Sequence, residues 1–352
     1  MLITNPRPGN RASNARLLIA LLATALPLAL LTGLFNGAAQ LGAQESLQAL
    51  WNLAANNSNG QAEIIIGKIR LPRVLLAAVM GANLAICGAA MQGLFRNPLA
   101  DPSLIGVTAG ASLGGALAIA AGGTLLEGYL GLTLISAGAF AGGVLAVLFV
   151  YRLATTPNGT SVATMLLAGI AITALAGALS SLLEFFVDNA MLRRISLWKM
   201  GGLDGASYPR LLLGGSVTLG LLVALPRYAN ALNALLLGES EARHLGIDIP
   251  NTKQALVVRV AIGVGTSVAL VGSIAFVGLV VPHLIRLLIG PNHRYLLPAS
   301  ALAGAILLVA ADTLARVVLS PTELPVGIIT AIVGVPFFIS LLRQRHHYGM
   351  QS

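Results

Sequence analysis

The sequence predicts an all-α integral membrane protein, ten transmembrane helices with short cytoplasmic helices between them. Three observations predict it. The 352 residues are 56% hydrophobic, with a mean hydropathy of +0.85. Only 9% are charged, against about a quarter in a soluble domain. Apolar blocks of roughly 20 residues, enough to cross about 30 Å of hydrocarbon, recur along the chain. Such a chain has too few ionic side chains to coat a water-covered globule, and its hydrophobicity excludes intrinsic disorder. Aromatics at 5% argue against nucleic-acid binding by base stacking. The +9 charge rests on 21 basic residues scattered between apolar blocks, the pattern of loop ends on a membrane protein. A single cysteine, Cys87, excludes an intrachain disulfide and a cysteine-cluster metal site.

The ten predicted spans lie near residues 17–36, 72–92, 103–122, 132–151, 161–184, 211–226, 254–273, 274–290, 297–318 and 326–342. The first follows Arg7, Arg11 and Arg16, as a signal peptide would, and Gly37 and Ala39 offer small residues for cleavage. Its apolar run, about 19 residues, exceeds the usual 7–15 of a signal core, so it reads as a retained helix behind a cytoplasmic tail over about 1–16. The seventh and eighth spans are carved from one continuous run at Gly272-Ser273. The whole chain reads as one transmembrane domain, 1–352. An even number of spans behind a basic N-terminus places both termini in the cytoplasm. Thirteen basic residues then lie inside and eight outside (Lys68, Arg70, Arg73, Arg193, Arg194, Lys199, Arg210 and Arg316). Cations clustered on a translocated side run against the usual bias, so they serve something. The recurrent glycines of 106–115 and 138–143 read as close helix packing, which replaces the missing hydrophobic drive in lipid.

Several segments exceed what a simple bundle needs. Arg70 and Arg73 flank Leu71-Pro72 at the start of the second span, on one face if the helix begins there. They fit either an anchor to lipid phosphate or a docking patch for an acidic partner, since Arg binds carboxylates bidentately. Arg96-Asn97-Pro98-Leu99-Ala100-Asp101-Pro102-Ser103 carries two prolines within five residues. It reads as a non-helical stretch, either an ordinary turn or a constriction at the inner mouth of a pathway. Residues 227–253 form the longest inner polar stretch, with helix formers bracketed by Gly238 and Gly246: a solvated connector or a short helix shown to a cytoplasmic partner. Asp312 and Arg316, four apart, read as a local pair snorkelling near the outer end of the ninth span. Glu184 and Asp188 read as solvated helix-end groups, and His283 as a core hydrogen-bonding histidine.

Absences bound the chemistry. The three lysines precede Ile69, Met200 and Gln254, so there is no Gly-Lys-Ser/Thr phosphate loop. The His-Glu-x-x-His pattern is missing too. If ATP energises the chain, another subunit hydrolyses it.

The runs Arg70-Leu71-Pro72-Arg73, Gly81-Ala82 through Gln92, Arg96 to Pro102 and Leu104-Ile105-Gly106-Val107 resemble the permease family of ABC importers for ferric siderophores, haem and vitamin B12. Ala275 to His283, Gly290 to Arg294, Leu296-Leu297-Pro298, Ala311-Asp312 and Glu323 to Gly327 agree. The resemblance implies a type II importer permease of the bacterial inner membrane, working as a homodimer with the pathway at the dimer interface. A cytoplasmic ATPase dimer carrying ATP-Mg binds below, and a periplasmic binding protein docks above. The permease itself binds no cofactor and has no catalytic site. By motif match, Arg70, Arg73 and Arg316 look like the arginines that engage the binding protein. Glu239, Ala242, Arg243 and Gly246, within a coupling segment over about 228–252, resemble the contact to the ATPase. Asn97 and Leu99 correspond to a cytoplasmic gate, and Asn158-Gly159-Thr160-Ser161, with Thr160 and Ser161, resembles its companion. The Arg-Asn-Pro-Leu-Ala-Asp-Pro and Leu-Ile-Gly-Val text is most like the haem-importing branch, with siderophore and cobalamin permeases close behind. A proton- or ion-coupled secondary transporter remains a rival and would need Asp312 as its ion carrier.

Overall fold

The computed structural model describes residues 8–37, 39, 41–55, 60–122, 129–156 and 159–349. The described residues are nearly all helical: α1 (Pro8–Phe35), α2 (Ala43–Ala54), α3 (Gln61–Ile64), α4 (Leu71–Leu94), α5 (Val107–Gly122), α6 (Tyr129–Ala154), α7 (Val162–Phe186), α8 (Asn189–Lys199), α9 (Tyr208–Ala224), α10 (Ala229–Leu235), α11 (Glu239–His244), α12 (Ile249–Val271), α13 (Val277–Ile289), α14 (His293–Val317) and α15 (Val326–Gly349). The exception is a two-stranded antiparallel hairpin, β1 (Thr155–Thr156) and β2 (Gly159–Thr160), that joins α6 to α7.

Among the described residues seven helices are long and apolar enough to cross a membrane. Three shorter apolar helices, 107–122, 277–289 and 326–340, fall where three further spans are expected. The split between the seventh and eighth spans is present. α12 stops at Val271, Gly272 turns at φ +70°, and α13 restarts after Phe276, itself at φ +69°. Backbone that leaves helical geometry in the membrane region must find partners in protein. Here Gly202 donates to the Val271 carbonyl (2.9 Å) and Gly327 to Gly201 (3.3 Å). A cavity of about 350 Å³ opens beside the break, lined by Leu84, Asp101, Ser103, Thr108 and Phe276.

The second span is longer than predicted. Helix runs without interruption from Gln61 to Leu94, so Pro72 lies inside it rather than at its first turn. A proline there has no N–H to donate and crowds the preceding turn. The chain accommodates it with a six-residue π-helical stretch, Ile65–Arg70, whose wider turn absorbs the misfit.

α4 is the centre of the bundle. Of its apolar window 78% is buried, against 11% for α1 and 17% for α7. It packs on α9, α12, α13 and α14, while α5 pairs with α6. Glycines set these distances. A Cβ on Gly81 would lie 2.2 Å from the Gly304 carbonyl oxygen of α14, and one on Gly114 would lie 2.1 Å from that of Gly138 in α6. In lipid, where apolar side chains gain nothing by leaving the solvent, such backbone contact is what holds helices together.

Candidate functional site

The bundle has two chemically distinct ends, and the candidate residues divide between them. At one end α1 finishes with its last carbonyls unpaired, as every helix does. Two arginines cap them. Arg70 donates to the Leu34 carbonyl (2.8 Å), to that of Phe35 (3.3 Å) and to that of Ala39. Arg316 donates to the carbonyls of Gly33 (2.9 Å) and Asn36 (2.6 Å). Cations suit a helix C-terminus because the aligned peptide dipoles leave it partly negative.

Arg316 also pairs through Nε with Asp312 at 2.9 Å, and the other carboxylate oxygen accepts from Arg73 Nε at 2.9 Å. Arg73 reaches on to Glu323 at 2.6 Å. The four side chains form a chain of alternating sign that ties α4, α14 and the segment before α15. The expected local pair of Asp312 with Arg316 is present, but both side chains are buried and neither snorkels. The position of Asp312 one turn before the end of the apolar stretch suggested water, but it is buried and Arg73 of α4 pairs with it. Arg70, Arg73 and Arg316 are likewise buried, and each is committed to partners within the chain. They are not an open docking patch in this conformation. The sequence could not show this, because Arg73 reaches carboxylates 239 and 250 residues away, and Arg70 and Arg316 reach carbonyls at the end of α1 some 31–36 and 280–283 residues away. Lys68, Arg193 and Arg194 are exposed. A cavity of about 420 Å³ at this end is lined by Arg73, Arg194, Trp198, Asp204, Arg210 and Glu323. Glu184 and Asp188 are also engaged: Glu184 pairs with Lys199 (2.5 Å), and Asp188 caps α8 by accepting from Met191 N–H (2.8 Å).

At the opposite end α4 stops in a Schellman turn. Asn97 N–H donates to Gln92 (3.1 Å) and Arg96 N–H to Gly93 (3.2 Å), with Arg96 at φ +51° where glycine is usual. The Asn97 side chain then accepts from Leu99 N–H (3.0 Å), and Asp101 caps the 3₁₀ turn Pro102–Ile105 through Ser103 N–H (2.8 Å). Desolvation raises the Asp101 carboxyl above its ordinary pKa, opposed by its bonds to Ser103. The two prolines thus stand in a rigid, self-satisfied turn that presents Asn97 to the surface and half-exposes Leu99.

On the same end the β1–β2 hairpin pairs Thr155 with Thr160, their hydroxyls 3.0 Å apart. Thr160 is buried and Ser161 exposed, its Oγ capping α7 by accepting from Thr164 N–H (3.2 Å). Asn158 lies outside the described residues. The short helix in the polar stretch exists as α11. Ala242 is fully buried and anchors it. Arg243 and Gly246 are exposed, flanked by Leu237 (68% exposed) and Leu245 (63%). Glu239 turns inward, both its oxygens 2.8 Å from Lys253 Nζ, which also donates to the Thr160 carbonyl at 2.8 Å. Lys253 is the residue that reading the sequence missed. A lone lysine in the first turns of an apolar helix gives no sign of its partners. α10 is fastened nearby, Asn233 Oδ1 accepting from His293 N–H (2.8 Å) and Asn233 Nδ2 donating to Asn292 (2.9 Å). His283 packs edge-on against Phe337. Among the described residues no group of His, Cys, Asp and Glu side chains could hold a metal ion.

The chain matches the FecCD transport family over residues 24–344. It belongs to that family. Among its relatives are the hemin transport system permease protein of Yersinia pestis, 45% identical over 320 residues (90% of this chain and 94% of that one), and the cobalamin import system permease protein of Halobacterium salinarum, 45% identical over 293 residues (81% and 74%). The FecCD fold recurs in a solved chain described as an inward-facing metal-chelate type ABC transporter: TM-score 0.79, 32% identity, covering 94% of this chain and 99% of that one. The PsaBC complex of Streptococcus pneumoniae, at 16% identity and TM-score 0.56, shares the fold alone.

Proposed function

We propose that the chain is the membrane-spanning permease of a binding-protein-dependent ABC importer that carries haem, or another iron complex, from periplasm to cytoplasm by alternating access. Beside the family membership, the observation that carries this reading is the α11 segment. An importer powered from outside its own chain needs a rigid contact through which a cytoplasmic partner can favour one of its two conformations, because a partner shifts an equilibrium only by its differential affinity for the two states. Leu237, Arg243 and Leu245 stand out at the end that holds most of the basic residues, the cytoplasmic side by the positive-inside rule. Apolar side chains beyond the membrane region, ringed by charge, mark a protein interface. ATP is hydrolysed on the partner, an ATPase dimer, and this chain supplies no catalytic site.

The hairpin residues Thr160 and Ser161 and the turn residues Asn97 and Leu99 form the inner gate. Thr160 and Ser161 stand at the foot of α7, whose apolar window is only 17% buried, and Asn97 and Leu99 stand in the turn after α4. A gate at the periphery of one chain is completed by a second copy, which supports a homodimer with the pathway between the copies. At the outer end the binding protein docks by its acidic side chains. Arg73 takes part by exchanging Glu323, whose side chain is 36% exposed, for a carboxylate of the partner. Arg70 and Arg316 hold α1 in place beneath, and the exposed Arg193 and Arg194 meet the partner first.

The haem relative aligns along more of both chains than the cobalamin relative does, which favours haem as cargo; a cobalamin or ferric-siderophore permease is the second reading, supported by an equal 45% identity. One assay reads both docking and cargo. In vesicles holding the permease and its ATPase, haem-loaded binding protein stimulates hydrolysis and uptake more than protein offered a ferric chelate or cobalamin. Arg193→Glu with Arg194→Glu lowers that stimulation at least tenfold while the complex stays assembled. Full stimulation of the double variant removes the docking surface, and a preference for cobalamin overturns the cargo.

A further inference from the structure

α11 and the α6–α7 hairpin belong to different parts of the sequence, 79 positions separating Thr160 from Glu239. Between them stands one ammonium group. Lys253 lies in the first turns of α12, its side chain 5% exposed. An ammonium has three donors, and all three are used here: on Glu239 Oε1, on Glu239 Oε2 and on the main-chain carbonyl of Thr160, each at 2.8 Å. Glu239 opens α11. The Thr160 carbonyl ends β2, one residue before the Ser161 cap of α7.

Each neighbour of this contact is itself fixed. Thr160 is paired to Thr155 through the strand and through both hydroxyls. α12 is capped by Asp248, which accepts from Asn251 N–H (3.2 Å) and from Asn251 Nδ2 (2.6 Å). α11 is closed on itself by Ile247 N–H donating to the Ala242 carbonyl (3.1 Å). A displacement of α11 therefore cannot be absorbed within α11; it reaches Glu239 and, with it, the ammonium. The bond is charge-assisted, with the lysine side chain 5% exposed and the glutamate side chain 36% exposed, so it is fixed at the ammonium and open to water at the carboxylate. When Glu239 moves, Lys253 either carries the Thr160 carbonyl along or releases it, and in both cases the foot of α7 changes its support.

Resting on the reading of α11 as the ATPase contact, we propose that Lys253 is the positioning residue that passes movement of α11 to the inner-gate hairpin. It touches neither nucleotide nor cargo; it acts through Glu239 and Thr160.

The test uses the complete complex in vesicles, with a fluorophore on Thr156→Cys in a Cys87→Ala background to report the hairpin. In the unaltered lysine protein, ATP binding changes the emission, and uptake accompanies hydrolysis. In Lys253→Met the complex still assembles and hydrolyses ATP, but the emission change is lost and cargo moved per ATP falls at least tenfold; Lys253→Arg, which keeps a donor at the carbonyl and a charge for the carboxylate, restores much of both. A Lys253→Met complex that keeps the emission change and the uptake per ATP overturns the proposal. Should that variant fail to assemble, Glu239→Gln decides: it keeps the side-chain shape at the water-facing end of the contact, and a reduced emission change with intact assembly supports the proposal, whereas a full one overturns it. If the lysine protein itself shows no ATP-dependent uptake, the importer reading fails first, and that result is separate from any difference between variants.

Discussion

Replacing Asp312 by Ala leaves two guanidiniums, Arg73 and Arg316, buried without the carboxylate that both share. Breaking a buried pair from one side costs about 3–5 kcal/mol, because the remaining charge is uncompensated. Here one deletion leaves Arg316 without a carboxylate and Arg73 with the partly exposed Glu323 alone. We expect Asp312→Ala to accumulate poorly, and what is purified to melt about 10 °C or more below the parent protein in detergent. Glu323→Ala should do much less, since its side chain is partly exposed and water takes over its share. Equal melting of Asp312→Ala and the parent protein excludes the buried network. The same geometry weighs against the secondary-transporter reading. Both Asp312 oxygens accept from guanidinium N–H groups, which makes the carboxylate a fixed strut rather than an ion carrier.

The second large effect concerns the partner surface. Leu237 and Leu245 flank α11 and are exposed, while Ala242 anchors it from within. A few central anchors carry most of an interface's binding energy, about 2 kcal/mol or more at each such position. Leu237→Asp with Leu245→Asp adds two anions that a contact must desolvate. The ATPase should co-purify at least tenfold less, with the permease itself folded, because neither side chain contributes to the core. Undiminished recovery of the ATPase places the contact elsewhere.

The spans were legible because a lipid crossing dictates composition: length and apolarity alone placed α4, α7, α12 and α14 to within a few residues at most ends. The break after Val271 was legible from Gly272, whose positive φ ends α12. The helical run of Gln61–Arg70 was not. A proline at position 72 reads as a first turn, and only the structure adds the π-helical stretch that lets it sit inside. α2 escaped notice because its mixed polar and apolar residues resemble a loop as much as a helix.

Of the segments singled out, Arg96–Ser103 was readable as a non-helical turn from its two prolines. The bonds that Asn97 and Asp101 make to backbone two residues away came only with the structure. The arginines were located but their task was not. Their clustering signalled a use, and Arg70, Arg73 and Arg316 cap α1 and clamp Asp312. Glu239 and Lys253 are 14 residues apart in sequence. Only the fold of the segment between them brings the two into contact, and no periodicity announces it.

The proposed function requires that this chain conduct only when a separate nucleotide-hydrolysing partner drives it. The most direct measurement is haem uptake into sealed vesicles containing the permease, with its ATPase present or withheld, under ATP or under an imposed proton gradient. Uptake is expected only where ATPase, ATP and loaded binding protein are together, with none from the gradient alone. Sustained accumulation of cargo by the permease without the ATPase would contradict it.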